Sequence, residues 1–108
     1  MSVYENIDRF DKSNTAVAEG RVIFYSKENW ENLKYIDYGV NLFRKEVLAL
    51  IPDAERYSMG TLFQQLIARQ ELLAYEVKKR FYEIGSVNGL TEFTEYVKGK
   101  IWFYRELR

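Results

Sequence analysis

Apolar and polar positions along the chain change period several times, and each change marks an element. Thr15 to Glu19 and Val22 to Ser26 are short runs rich in β-branched and aromatic residues. Joined around Gly20, they read as a β-hairpin. Leu33 to Phe43 reads as a longer strand, with Ile36, Tyr38, Val40 and Leu42 on one face and Tyr35, Asp37, Gly39 and Asn41 on the other. Lys45 to Ile51 then reads as a short helix stopped by Pro52, with no Ser, Thr, Asp or Asn to cap its start. The next helix is better signalled: Ser58 is placed to cap it, and Leu62, Phe63, Leu66 and Ile67 fall on one side. Leu72 to Val77 and Phe81 to Ile84 read as strands flanking the basic turn Lys78-Lys79-Arg80. Gly85, Ser86 and Asn88 lead into a helix from about Leu90 to Lys98, with Phe93 and Val97 spaced to face inward. The tail, Ile101 to Arg108, is read as an extension of that helix beyond Gly99. Hairpin, strand, two helices, two strands and a helix make an α/β fold, with helices packed on a mixed sheet.

Composition narrows what such a fold could do. The 108 residues suit one domain, spanning 1–108. Sixteen Lys and Arg balance sixteen Asp and Glu, so the basic excess that displaces counterions from a nucleic acid is missing, and no nucleic-acid partner is expected. The longest apolar stretch, Val47 to Ile51, is far shorter than the roughly 20 residues of a membrane span. The opening residues show no basic-then-apolar secretory pattern. A cytoplasmic protein without a membrane association is therefore expected. The sequence has no Cys and no His, which excludes disulfides, Cys/His zinc sites and Ser-His or Cys-His catalysis. Carboxylate, lysine, tyrosine and backbone chemistry remain.

Three segments carry a more specific likeness. The run MSVYENIDRFDKSNTAVAEGRVIFYSK, then YIDYGVNLFRKEVL, then LLAYEVKKRFYEIGSVNGLTEF, resembles the sugar-1-phosphate nucleotidylyltransferases, which make nucleotide sugars. The strongest element is Arg80-Phe81-Tyr82-Glu83-Ile84-Gly85-Ser86, followed by Gly89-Leu90 and Phe93. Within the family, the SNT, YSK and IDYG spellings look most like the guanylyltransferases acting on heptose or related sugar phosphates. The resemblance covers nearly all of this chain but only the second half of the family's domain. It implies a partial nucleotidyltransferase domain of Rossmann-like type, without the N-terminal half. In the family, that half brings a Gly-rich, Arg- and Lys-bearing loop around the triphosphate and an Asp that holds the catalytic magnesium. No GGxGTR-like stretch occurs in this sequence.

The resemblance also implies roles for particular residues. The family's reaction is attack by a sugar-1-phosphate oxygen on the α-phosphorus of a nucleoside triphosphate, releasing pyrophosphate. Two anions must meet, so the protein has to neutralise charge and align the reactants. Glu83 matches the family's second metal carboxylate, and magnesium is the implied cofactor wherever a complete site is assembled. A surface glutamate after a strand is the alternative. Lys27 matches the lysine that reaches the sugar phosphate, although Ser26-Lys27-Glu28 stands where many relatives have Glu-Lys-Pro, and a solvated lysine fits as well. Asn14 matches a position close to the sugar, where its amide could donate and accept, or could serve an ordinary turn. Tyr35, Asp37 and Gly39 match the strand that lines the sugar pocket, Gly39 admitting a close approach of the backbone; alternatively Gly39 marks a bulge and Asp37 points to solvent from an edge. Gly85 and Ser86 could hold an anion at a helix start, but capping is the commoner use of Ser at such a boundary.

Two functions follow. The first is a C-terminal portion of a sugar-1-phosphate nucleotidylyltransferase, binding a sugar 1-phosphate or nucleotide sugar and inactive until a homodimer or partner chain supplies the rest. Such a portion would expose a sheet edge and an apolar face, with the aromatic cluster Ile101 to Tyr104 a leading contact. The second is a non-catalytic interaction or regulatory module descended from that family.

Overall fold

A computed structural model describes residues 1–28 and 30–100. The expectations placed on the tail, Ile101 to Arg108, lie outside the described residues. The chain forms a mixed α/β structure built on one curled five-stranded sheet. In chain order its elements are β1 (Ser2–Glu5), β2 (Thr15–Ala18), β3 (Arg21–Tyr25), β4 (Tyr35–Asp37), a 3₁₀ turn (Lys45–Leu50), α1 (Met59–Ala68), β5 (Tyr75–Glu76) and α2 (Val87–Lys98). The sheet order is β3-β2-β4-β1-β5, antiparallel throughout except where β1 meets β5.

The hairpin forms as the sequence indicates. Ala18 pairs with Arg21 across a two-residue loop, Glu19-Gly20, and both loop residues have positive φ (51° and 73°). That is the geometry of a type I′ turn, whose twist matches the strands it joins. One irregularity decides which side chains enter the core. Ala16 faces Phe24 while Val17 faces Val22, so Ile23 is the extra residue of a β-bulge. Val22 and Tyr25 are consequently both buried although three residues apart, and Ile23 is exposed.

β1, which the apolar pattern does not signal, is central, lying between β4 and β5 with Val3 fully buried. Its partner β4 is far shorter than the expected Leu33 to Phe43. Gly39 turns the chain out at φ 85°, and the Asp37 carboxylate accepts a hydrogen bond from the Gly39 N–H (3.0 Å), closing a local turn that competes with the strand. Of Ile36, Tyr38, Val40 and Leu42, only Ile36 is buried; Leu42 is 93% exposed.

The uncapped segment Lys45–Leu50 is 3₁₀ rather than α, with no side-chain cap at Arg44 and no buried residue. In α1 the Ser58 hydroxyl accepts from the Thr61 N–H (3.1 Å), and Leu62, Phe63 and Leu66 are buried against β3. The helix ends with Gln70 in the left-handed region (φ 56°), its N–H on the Ile67 carbonyl and that of Glu71 on Leu66. This is a Schellman ending without the glycine that usually announces one. The core comprises Val3, Val22, Tyr25, Leu62, Phe63, Leu66 and Leu72, extended by Met1.

The stretch after α1 closes the sheet. Leu72 and Ala74 exchange backbone hydrogen bonds with Val22 and Gly20, while Tyr75 and Val77 donate to Met1 and Val3. One segment thus links the two outer sides of the sheet, and the Gln64 side chain caps the Tyr25 carbonyl. The anticipated open sheet edge is largely covered by the chain itself. Exposed apolar side chains do occur, among them Val40, Leu42, Leu73, Ile84 and Val87.

Phe81 to Ile84 is not a strand. Phe81 instead seats its ring edge-on against Tyr4, Phe10 and Tyr38, with centroids 5.9, 5.7 and 6.1 Å away. α2 begins three residues before the expected Leu90, at a boundary set by Ser86, whose hydroxyl accepts from the Gly89 N–H (3.0 Å). Phe93 and Val97 are not buried as expected. Each is 36% exposed, and the buried member of α2 is Gly89. No described helix is long and apolar enough to cross a membrane.

Candidate functional site

Two groups of the residues singled out by sequence occupy separate places. The first lies where β2 begins and β4 runs beside it. Asn14 is held at the junction: its N–H donates to the Tyr35 carbonyl (2.9 Å), and its own carbonyl accepts from the Ser26 N–H (3.0 Å). Its side-chain Oδ1 accepts from the Asp37 N–H (2.9 Å) and from the Thr15 hydroxyl (2.8 Å). Asp37 in turn holds Gly39 through Oδ1, with the Asn41 amide 3.5 Å from the same oxygen. Asn14, Tyr35, Asp37 and Gly39 are therefore brought together by hydrogen bonds.

Among the described residues, Asn14 Nδ2 donates to no protein group and Asp37 Oδ2 accepts from none, so a donor and an acceptor remain at this sheet end. Hydroxyl-rich ligands need both. Burial, followed by the nearby Glu76 and Glu5 carboxylates, raises the Tyr35 phenol above its ordinary pKa, so it stays a protonated donor at neutral pH. Asn41 belongs to the same group, its Oδ1 buried without a protein partner. The sequence put Asn41 on the Asp37 face but gave no sign of this pairing.

Lys27 is next to Ser26 in the chain, but it lines a different hollow. That cleft, of about 350 Å³, lies between the end of β3 and the start of α1, with Tyr25, Ser26, Ser58, Gly60 and Gln64 among its walls. A cation, the Glu28 carboxylate and four hydroxyl-bearing residues, Tyr25, Ser26, Ser58 and Thr61, thus share a cleft one residue from the Asn14 junction.

Glu83 stands elsewhere, in a polar cleft of about 270 Å³ with Arg9, Arg80, Ser86, Asn88 and Glu92. Its Oε2 accepts from the Gly85 N–H (2.8 Å) and the Ser86 N–H (3.1 Å), and the Ser86 hydroxyl donates to Oε1. The Ser86 hydroxyl first, and the two backbone N–H groups after it, hold the carboxyl below the usual glutamate range against a partial loss of solvent. The sequence marks Arg80 only as part of a basic turn. Its guanidinium lies between the Phe10 and Tyr82 rings, 3.9 and 4.1 Å from their centroids, and is 2.7 Å from Glu92. No local spacing signals a pairing across those twelve residues.

Magnesium prefers octahedral oxygen ligands, usually one or two carboxylates completed by water and phosphate. Among the described residues no three metal-ligating side chains cluster, and the Glu83 oxygens already accept three hydrogen bonds within their own turn. The residues present do not assemble a magnesium site by themselves. Comparison of the chain with protein-family models, with curated proteins and with solved structures finds no match.

Proposed function

We propose that this chain is the sugar-phosphate-binding C-terminal portion of a sugar-1-phosphate nucleotidylyltransferase: part of a Rossmann-like nucleotidyltransferase domain, acting in the cytoplasm in nucleotide-sugar synthesis. It is not catalytically competent by itself. The triphosphate cradle and the oxygens a magnesium ion needs come from a partner chain, while a homodimer would cover the exposed apolar side chains of this one. The observation that carries the reading is the Asn14–Asp37 hydrogen bond, which joins residues 23 apart that the family likeness assigns to one sugar pocket.

In this reading the chain's own residues bind and orient. Asn14 and Asp37 take sugar hydroxyls as donor and acceptor, the Tyr35 phenol edges the same face, and Gly39 leaves the backbone bare beside them. Lys27 offsets part of the phosphate charge from the adjoining cleft. Aligning the sugar phosphate is the share of catalysis that positioning supplies.

A thermal-shift series with sugar 1-phosphates and nucleotide sugars, with and without magnesium, tests the proposal against inorganic phosphate. Saturating ligand raises the melting midpoint by mass action. Stabilisation by a sugar 1-phosphate but not by phosphate, lost in Asp37→Ala, supports it. No stabilisation by any sugar phosphate up to 10 mM (on the order of a hundredfold above a useful binding constant) refutes it.

The second reading, a non-catalytic interaction module, is favoured by one observation: the half-exposed apolar stripe of α2 formed by Leu90, Phe93 and Val97. Specific capture of a partner by the intact chain, abolished by Phe93→Asp, together with a flat ligand screen would select it.

A further inference from the structure

The Glu83 contacts lead to a different assignment for that residue, independent of the sugar-phosphate reading. We propose that Glu83 is the positioning carboxylate of α2, seated on the first turn of its own helix and committed there in place of a cation. In a capping box the helix carries a Glu or Gln at its third position, which reaches back to the cap residue. Here the cap is Ser86 and the third position is Gly89, which has no side chain to reach with.

Glu83 fills that space from outside the helix. A Cβ built on Gly89 would overlap both the Glu83 carboxylate and its backbone carbonyl, so the glycine is the seat the carboxylate needs. A glycine in a helix costs stability relative to alanine, and here that cost is offset by what it admits.

Three donors converge on the carboxylate: the N–H groups of Gly85 and Ser86 and the Ser86 hydroxyl. The serine then relays the arrangement, because the same oxygen accepts from the Gly89 N–H. Negative charge at this end also suits the helix dipole. The position matters because α2 has no extended packing against any strand. It is held through the segment that precedes it, where Arg80 lies between Phe10 and Tyr82 and reaches Glu92. Arg9, Arg80 and Glu92 are the charged side chains that share the Glu83 cleft. Glu83 fixes where the helix starts, and Arg80 fixes what it leans on.

Amide hydrogen exchange on the isotope-labelled chain tests this at the two donors. Glu83→Gln is expected to speed exchange at Gly85 and Ser86 about tenfold or more, since charge-assisted hydrogen bonds are lost. Gly89→Ala keeps the carboxylate but fills its seat, and is expected to do the same. Exchange at the core residues Val3 and Leu66 should be unchanged, which separates the effect from general unfolding. Millimolar magnesium should leave these amides as they are. Unchanged exchange in Glu83→Gln would overturn the assignment. So would a magnesium-dependent shift of the Gly85 and Ser86 resonances that is present in the parent and absent in Glu83→Gln.

Discussion

Replacing Asn14 by alanine removes one acceptor and strands two donors. The first is the Asp37 N–H, part-buried between β2 and β4, and the second is the hydroxyl of Thr15, a residue with no exposed surface. A neutral hydrogen bond contributes about 1 kcal/mol net, and an abandoned buried donor costs about 1–3 kcal/mol. Water can still reach the edge of the Asp37 group, so its loss falls at the low end. Asn14→Ala should then destabilise the chain by about 2–3 kcal/mol. For a domain of this size, each kcal/mol lowers the melting midpoint by about 4–5 °C, so a fall of about 10 °C is expected. Thr15→Val separates the two contributions, because it deletes the hydroxyl while keeping the β-branched shape. Alone it should cost under about 1 kcal/mol. The double variant should be about 1 kcal/mol more stable than the sum of the single changes, since the stranded hydroxyl is no longer there. Urea unfolding followed by circular dichroism, at constant slope, measures all four corners of the cycle. Loss of less than about 0.5 kcal/mol in Asn14→Ala, or strict additivity in the cycle, would refute the claim that Oδ1 holds these donors.

Two further outcomes follow from charged groups outside that junction. Asp8 accepts from the Ser13 N–H (2.7 Å) and pairs with Lys12 (2.8 Å), and the Lys12 contact is the larger cause of a carboxyl pKa lowered to about 2. A lowered folded-state pKa gives stability that is present above the unfolded value of 3.8 and lost as pH falls toward 2. The urea-midpoint advantage of the parent over Asp8→Asn should shrink across that window, and an advantage constant from pH 5 to pH 2 would contradict it. Arg80→Lys replaces a planar cation held between two rings by a point charge on a flexible stem, and should cost about 1–2 kcal/mol. The loss should show as a weaker near-ultraviolet signal from Tyr82 and from Tyr96, whose ring stacks on it at 4.4 Å, and an unaltered spectrum with unaltered stability would show the stacking to be unimportant.

The elements that could be read from sequence are those whose evidence is local. The Glu19-Gly20 turn, the Ser58 cap and the apolar stripe of α1 each follow from residues within a few positions of one another. β1 has only Val3 as a fully buried residue, and its place comes from pairing with β4 and β5, drawn from residues 35–37 and 75–76. Nothing inside Ser2–Glu5 carries that information. β4 fails in the other direction. The alternation from Leu33 to Phe43 is genuine, but Asp37 offers the Gly39 N–H a partner two residues away, and that local bond ends the strand. The bulge at Ile23 was hidden for a related reason. Period two assumes an unbroken ladder, and one extra residue moves every later side chain to the other face.

The same limit explains why candidate chemistry was partly legible. A Glu followed by Gly and Ser before a helix is what a metal-binding strand end needs, an oxygen donor at the mouth of a sheet. It is equally what a helix start needs, an acceptor for N–H groups that have no partner within the helix. Spacing cannot tell these apart, because both use the same carboxylate at the same place. The difference lies at Gly89, three residues past the cap, where the missing side chain leaves room for Glu83 to turn inward. Asn14 and Asp37 present the opposite case. Their types suggested turn chemistry or an exposed edge, and the pairing of β2 with β4 makes them neighbours through a single strand contact, Thr15 with Tyr35. Residue type therefore limits what each of these side chains can do, while strand register and the shape of the nearest turn decide which partner it meets.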